Sequence, residues 1–490
     1  MRHAWRNLIV TGAPAVALIT ASLLGGQADR PASHAKSAAI VPAAQPAQAA
    51  RDADAAPTFA ADVAPIIYEH CVVCHRPGQI APFPLTSYRE VARRARQIAL
   101  VAEERIMPPW KPREGWNHFQ DERRLTDAQI DTLVRWAEAG RPEGDRDKTP
   151  ALPQFKEGWQ LGEPDIVLTM DRAIEVPAEG EDLYMHFVFP IEMDTRELYV
   201  RGVEVRPGNL RVAHHAVGLL DRSGKARRLD AAYPGPGYLR FGDPGFTPIG
   251  MTPGYVPGQT PRLFKEGAAI KITRGTDFVL QVHYHPSGKV ERDQTQVGLY
   301  LTDRPPTRKV MGVLMGSEDI DIPANDDTYK VYDRFTLPVA MRADHIWAHM
   351  HLIGKDIKVW AELPNGEVKK LLWIDDWDFR WQDTYLFDEP IDLPAQTVLR
   401  AEWRYDNTAD NPRNPHHPPQ RVTHGQNSTD EMAGIWLGGE LNNELDRVIL
   451  LGANIGHYMQ LTKDDPQHHE RRRERLMRTS TPPATGDEAD

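Results

Sequence analysis

Phe278-Val279-Leu280-Gln281-Val282 is short, apolar and β-branched, follows a Gly-Thr-Asp turn, and runs directly into His283-Tyr284-His285. Such a run reads as a buried strand that delivers histidines at its end. The same pattern recurs outward in both directions. Ile166-Val167-Leu168, Phe187-Val188-Phe189, Ala269-Ile270-Lys271-Ile272, Val297-Gly298-Leu299-Tyr300, Ile357-Lys358-Val359-Trp360 and Val398-Leu399-Arg400-Ala401-Glu402 are separated by Pro, Gly and Asp turns. Short strands at this spacing predict antiparallel sandwiches. Pro305-Pro306-Thr307 divides them into two β domains, 160–305 and 306–462.

Upstream the periodicity changes. Phe59 to Tyr68, Ser87 to Glu104 and Asp127 to Ala139 read as helices, and within them falls Cys71-Val72-Val73-Cys74-His75, holding both cysteines of the 490-residue chain. C-x-x-C-H is a haem attachment pattern in which two thiols bond the vinyl groups and the histidine ligates iron. Met107, in Arg105-Ile106-Met107-Pro108-Pro109-Trp110, is the only methionine between His75 and Met170 and completes a His/Met pair. That pair raises the reduction potential and leaves no open position, so the haem is expected to carry electrons. A zinc site lacks further cysteines, and a thioredoxin-like pair belongs in a βαβ unit that the pattern does not offer. Three helices around one attachment motif resemble a class I cytochrome c domain, assigned to 58–145.

The N-terminus supports an exported compartment. Arg2, His3 and Arg6 precede an apolar stretch from Leu8 to Leu24, and Gly26-Gln27-Ala28 offers small residues for cleavage, so 1–28 reads as a signal peptide. Gly12 and Pro14 interrupt the stretch, which is shorter than the ~20 residues that span a bilayer. No stable membrane insertion is expected after cleavage, and the protein is placed in the periplasm or secreted. Ala and Pro dominate 29–57, a flexible tether, and 463–490 reads as a disordered, charged tail. A net charge of −11 without a basic aromatic surface excludes nucleic acid as the expected partner.

A second group of metal-ligand residues lies in the β half: His214-His215, His283-Tyr284-His285, His349-Met350-His351 and Asp430-Glu431-Met432. Histidines at i and i+2 project to one strand face, so His349 and His351 can hold one ion. Adjacent His214 and His215 can share an ion only if the backbone bends or the rings use different nitrogens. Imidazole suits copper and a thioether helps hold Cu(I), while a blue-copper site needs a cysteine that is already committed. His345, His424 and His416-His417 read as loop residues without metal. Trp347, Trp373, Trp377, Trp381 and Trp436 read as core, at a density compatible with an aromatic-lined cleft.

Val212-Ala213-His214-His215, Leu280-Gln281-Val282-His283-Tyr284, His349-x-His351 and Thr429-Asp430-Glu431-Met432 together resemble the copper type II, ascorbate-dependent monooxygenases, which include peptidylglycine α-hydroxylating and dopamine β-monooxygenases. The resemblance covers roughly 160 to 460. It implies two jelly-roll domains facing a solvent-filled cleft. His214, His215 and His283 would hold an electron-transfer copper; His349, His351 and Met432 would form the oxygen-activating, catalytic copper site. It also matches Gln281 to a family glutamine near the third histidine, while His285 is left over as a surface or supporting residue. The chain departs from the family in lacking its disulfides, and Trp347 and Trp436 stand where the peptide-amidating branch places an arginine and a tyrosine that bind the peptide carboxylate.

The expectation is therefore a multidomain protein, a small all-α cytochrome c domain followed by two all-β jelly-roll sandwich domains, with two copper ions and one covalently bound haem c. It would hydroxylate a C–H bond of a small organic substrate with dioxygen, drawing electrons from an exported donor through Cys71, Cys74, His75 and Met107. The alternatives are a non-catalytic haem and copper electron-transfer or copper-handling protein, and a structural β-sandwich whose histidines take zinc adventitiously.

Overall fold

The computed structural model describes residues 56–240, 244–257, 259–425 and 427–461, which fall within one compact unit. The expected signal peptide, almost all of the tether and the tail lie outside the described residues. Most of what is described is β, in a body of small sheets with few helices. Among the described helices none is long and apolar enough to cross a membrane.

The helical part begins with a π-type turn at Phe59–Val63 and the helix Ala64–His70, with Pro65 in the first turn, where its missing N–H leaves nothing unpaired. The helix expected from Ser87 to Glu104 is two, Tyr88–Arg93 and Ala95–Glu103, because Arg94 leaves helical geometry at φ −114° and ψ 10°. Asp127–Glu138 starts on a capping box. Thr126 Oγ1 accepts from Gln129 N at 3.2 Å while Gln129 Oε1 accepts from Thr126 N at 2.8 Å, an arrangement that stabilises a helix start by about 1 kcal/mol. Phe59, Ile67, Val91, Ile98, Leu133 and Trp136 close the small core between these helices.

From Met107 to Arg124 the chain leaves the helices and lies against strands of two β-sheets. Arg113 N donates to Trp373 O at 2.7 Å and Gln120 N to Leu386 O at 2.8 Å. Phe119, 6% exposed, joins the core of that β body. Lys111 pairs with Asp376 at 2.8 Å, Arg113 with Asp375 at 3.0 Å, and Arg123 with Asp383.

Every described sheet draws its strands from one side only of Pro305-Pro306, and all pairings between named strands are antiparallel. Before it stands a five-stranded sheet in the order Tyr238–Leu239, Leu183–Pro190, Asp277–Tyr284, Ala213–Asp221, Gly250–Tyr255. It shares a core with the four-stranded sheet Ile166–Thr169, Gln296–Leu301, Glu197–Arg206, Ile270–Thr273. After it come two four-stranded sheets, Lys309–Gly316, Gly434–Leu441, Met341–His349, Thr384–Leu393 and Lys330–Thr336, Val398–Tyr405, Gly354–Glu362, Val368–Ile374. Two short ribbons complete the set, Ile174–Val176 with Glu291–Asp293 and Asp321–Ile322 with Val422–Thr423.

Strand parity then decides which face carries chemistry. In Asp277–Tyr284 the residues Phe278, Leu280, Val282 and Tyr284 enter the core, so His283 lies on the opposite face. In Met341–His349 the core takes Met341, Ala343, Ile346 and Ala348, with a register shift between Ala343 and His345. His345, Trp347 and His349 consequently share the outer face. His345 is thus a strand residue rather than a loop residue, its Nδ1 2.7 Å from Asp344 Oδ1.

Candidate metal centre

The strand Ala213–Asp221 pairs Ala213 with Tyr284 but His215 with His283, so two residues on one strand face one on the other. His214 is the extra residue of a β-bulge, and the local bend breaks the alternation that would send neighbours to opposite faces. This is the backbone bend that a shared ion requires. His214 Nδ1 lies 3.1 Å from His215 Nδ1, and His283 Nδ1 lies 3.3 Å from the same atom. One ligand atom from each of the three lies within 4.8 Å of the other two. Imidazole nitrogens about 2.0 Å from a metal in a tetrahedral shell stand roughly 3.3 Å apart, so the trio fits one ion.

The tautomer of His283 is set from behind. Its Nε2 lies 2.9 Å from Asp182 Oδ2, which directs the proton to Nε2 and leaves Nδ1 bare toward its two neighbours. Burial alone would raise the Asp182 carboxyl. Hydrogen bonds from His283, His285 and Ser428 outweigh that and hold it well below the usual carboxylate range. Tyr184 stacks on His283, with centroids 4.2 Å apart. Burial pushes His214 down to about 3 and His215 well below its ordinary value, so both are neutral bases near pH 7, as a metal ligand must be.

His349 and His351 form a second group with ring centroids 5.0 Å apart. His349 Nδ1 is 2.5 Å from Gln382 Oε1, and His351 Nδ1 is 3.1 Å from Asp430 O. Both rings are therefore anchored through Nδ1, and the Asn427 backbone also bonds His351. Burial lowers His349 to about 4 and His351 well below its usual value. Trp347 stacks on His349 at 5.4 Å and pairs across the strands with Trp436. Trp373 and Trp377 are core, while Trp381 is half-buried.

Met432 follows the buried Glu431, whose carboxyl accepts from His351 N at 2.9 Å, Ile353 N at 2.8 Å and Met432 N at 3.2 Å. Burial raises Glu431 to about 8. Met432 is thereby tied to the His351 turn through one side chain, and its carbonyl accepts from Tyr405 Oη at 2.9 Å.

The two groups are adjacent. His215 and His349 have centroids 6.4 Å apart, and Phe379 stacks on His214 at 4.5 Å while meeting His351 edge-on at 5.7 Å. A solvent-filled separation at these rings, expected from the family resemblance, is replaced by direct aromatic packing.

In the helical part Cys71, Cys74 and His75 occupy one turn continuing the first helix, with Cys71 N donating to Ile67 O at 2.9 Å and His75 N to Cys71 O at 2.9 Å. His75 Nδ1 lies 3.0 Å from Phe83 O, which leaves Nε2 as its free ligand atom. Burial pushes the Cys71 thiol up to about 12 and raises Cys74, opposite to the lowered value of a redox C-x-x-C pair. Two thiols within one turn and an imidazole oriented by Phe83 are the donors that a covalent haem would use. Met107 follows the third helix, its N–H bonded to Val101 O at 3.0 Å.

One supporting residue differs from its sequence reading, and one was not read at all. Gln281 bonds His186 Nε2 at 2.9 Å rather than one of the three clustered histidines. Asp182, which sequence reasoning missed, takes the position behind His283, and His285 joins it at 2.7 Å. A lone aspartate a hundred residues upstream carries no local signal of that part.

No family model matches the chain, and no curated protein does. Among solved structures, PBSX exported protein XepA has 7% identity over 49% of this chain and 86% of that one at a TM-score of 0.16. A putative alpha-L-fucosidase from Bacteroides ovatus has 8% identity over 62% and 44% at 0.15, and an infectious bursal disease virus VP2 subviral particle 9% over 64% and 93% at 0.15. Likeness at this level carries no argument about fold or function.

Proposed function

We propose that this chain is an exported copper-dependent monooxygenase that hydroxylates a C–H bond of a small organic molecule, with electrons entering through its own c-type haem. On this reading residues 58–145 are a class I-like cytochrome c domain and the two β bodies are jelly rolls. The observation that carries it is the meeting of five imidazoles brought by three strands, three with their Nδ1 atoms clustered and two anchored through Nδ1, with Met432 tied to the second group through Glu431. Copper bound there would supply the one-electron chemistry that divides dioxygen between a hydroxylated product and water, consuming two electrons and two protons.

The protein's own residues have definable parts. Asp182 orients His283 and balances charge behind the first group, and Gln382 and Asp430 fix the rings of the second. The Trp347 and Trp436 pair beside His349 gives an aromatic wall without a fixed charge, which suits an uncharged substrate better than a peptide carboxylate. The Met107–Arg124 segment ties the haem-bearing helices to the strands of Trp373 and Leu386, and Arg123 grips Asp383, the neighbour of Gln382. Holding donor and acceptor on one chain raises their effective concentration.

Metal analysis and a visible spectrum of the exported protein test this reading. Two coppers and one covalent haem per chain support it. Zinc or substoichiometric metal at the histidines, with no haem on the denatured polypeptide, would overturn it.

A further inference from the structure

The loop Asn427–Met432 reaches both histidine groups within six residues. Ser428 Oγ donates to Asp182 Oδ2, the oxygen that also receives His283 Nε2–H at 2.9 Å, while Asp182 Oδ1 takes His285 Nδ1 at 2.7 Å. Farther along the loop, Asp430 O takes His351 Nδ1, and Glu431 holds the backbone N–H of His351, Ile353 and Met432. The loop is stiffened internally, since Asp430 Oδ2 accepts from both Asn427 N at 3.0 Å and Asn427 Nδ2 at 3.1 Å. Asp182 is 7% exposed and Ser428 6% exposed, so neither bond competes freely with water.

We infer that Asp182 is a positioning residue that couples the two metal groups, acting on the first through His283 and on the second through Ser428 and the Met432 loop. This rests on the copper reading above. A metal on His283 Nδ1 requires the proton on Nε2, the tautomer that donates to Asp182, and the same carboxylate oxygen anchors the loop that carries Met432. Filling the first group therefore orders the loop, and by thermodynamic reciprocity filling the second strengthens the first. Ser428 is the element that separates coupling from ligation, because its hydroxyl bonds Asp182 rather than an imidazole while its loop carries the supports of the second group.

The test titrates copper into the full-length haem protein against a competing chelator, with the Cu(II) electron paramagnetic resonance signal of each group as readout and unfolding of the copper-free protein as a fold check. Ser428→Ala should leave the first-group signal unaltered, weaken the second site about 10-fold or more and abolish cooperativity between the two. Ser428→Thr, which keeps the hydroxyl, should restore it. Asp182→Asn cannot accept all three hydrogen bonds and should shift the first-group signal and weaken both sites about 10- to 100-fold. If Asp182→Asn does not fold, the serine pair decides alone. Two coppers in the wild type with Ser428→Ala affinities and cooperativity unchanged would overturn the coupling and spare the monooxygenase reading. Fewer than two coppers in the wild type would overturn both.

Discussion

The rings of His215 and His349 stand 6.4 Å apart although their strands, Ala213–Asp221 and Met341–His349, belong to different sheets on opposite sides of Pro305. Each points away from its own core, and Phe379 fills the space between His214 and His351. Burial depresses the titration of His215 most, and the neighbouring histidines of both groups, His283, His214, His349 and His351, add to it. Neutral rings favour metal over protons.

Single substitutions should separate the groups. His283→Ala removes one of the three converging nitrogens and is expected to lose one copper of two and interrupt electron delivery. Met432→Leu keeps every histidine and should spare the first copper while impairing oxygen chemistry at the second, since only the thioether is lost. Metal content and turnover, measured together, check both; full occupancy with full turnover in either variant contradicts the assignment.

The haem should survive acid-acetone extraction on the denatured polypeptide, because Cys71 and Cys74 would hold it by covalent bonds. Met107→Ala should abolish the methionine-ligated spectral signature without releasing the haem. An unchanged spectrum would assign the second axial position elsewhere, with His118 the first candidate.

Glu431→Ala would leave the backbone N–H groups of His351, Ile353 and Met432 without their acceptor in a buried turn. The expected loss of stability is about 3 kcal/mol, read from the midpoint of denaturant unfolding. Glu431→Gln keeps one carbonyl oxygen and should cost less than half of that. Equal stability of Glu431→Ala and wild type would remove this side chain from the account.

Docking of the Met107–Arg124 segment should weaken in acid. Partial burial opposes ionisation of Asp376, but hydrogen bonds from Lys111 and Arg413 hold its carboxyl below the usual range. A lowered carboxyl contributes stability that is complete above its unfolded value, about 4, and is lost as pH falls through the folded one. Protease nicking between Met107 and Arg124 should therefore rise below about pH 4, and at neutral pH in Asp376→Asn. The pair is exposed enough for high salt to act in the same direction.

Much of the β pattern was legible because Phe278 to Val282 and its counterparts combine β-branched runs with turn residues, a signal local to each strand. The histidine clusters were legible as candidates for the same reason. Their convergence was half legible: the adjacency of His214 and His215 demanded a bend, but only pairing with His283 and Tyr284 locates the bulge. Asp182, Ser428, Gln382 and Phe379 were silent in the sequence because each acts on a partner far along the chain, and single polar or aromatic residues have no period to betray them. The break at Arg94 and the strand position of His345 were likewise set by packing rather than by local preference.

The central claim is best tested by supplying labelled dioxygen to the copper-loaded protein while an external reductant that reduces the haem but not the copper directly keeps the haem reduced, so that the two electrons each product needs pass through it one at a time, across a panel of small, weakly charged C–H substrates, and measuring product mass. The account predicts one labelled oxygen atom in each hydroxylated product, formed only when both copper groups are filled. Oxidation of the haem with no label in any product would contradict it and identify the protein as an electron carrier.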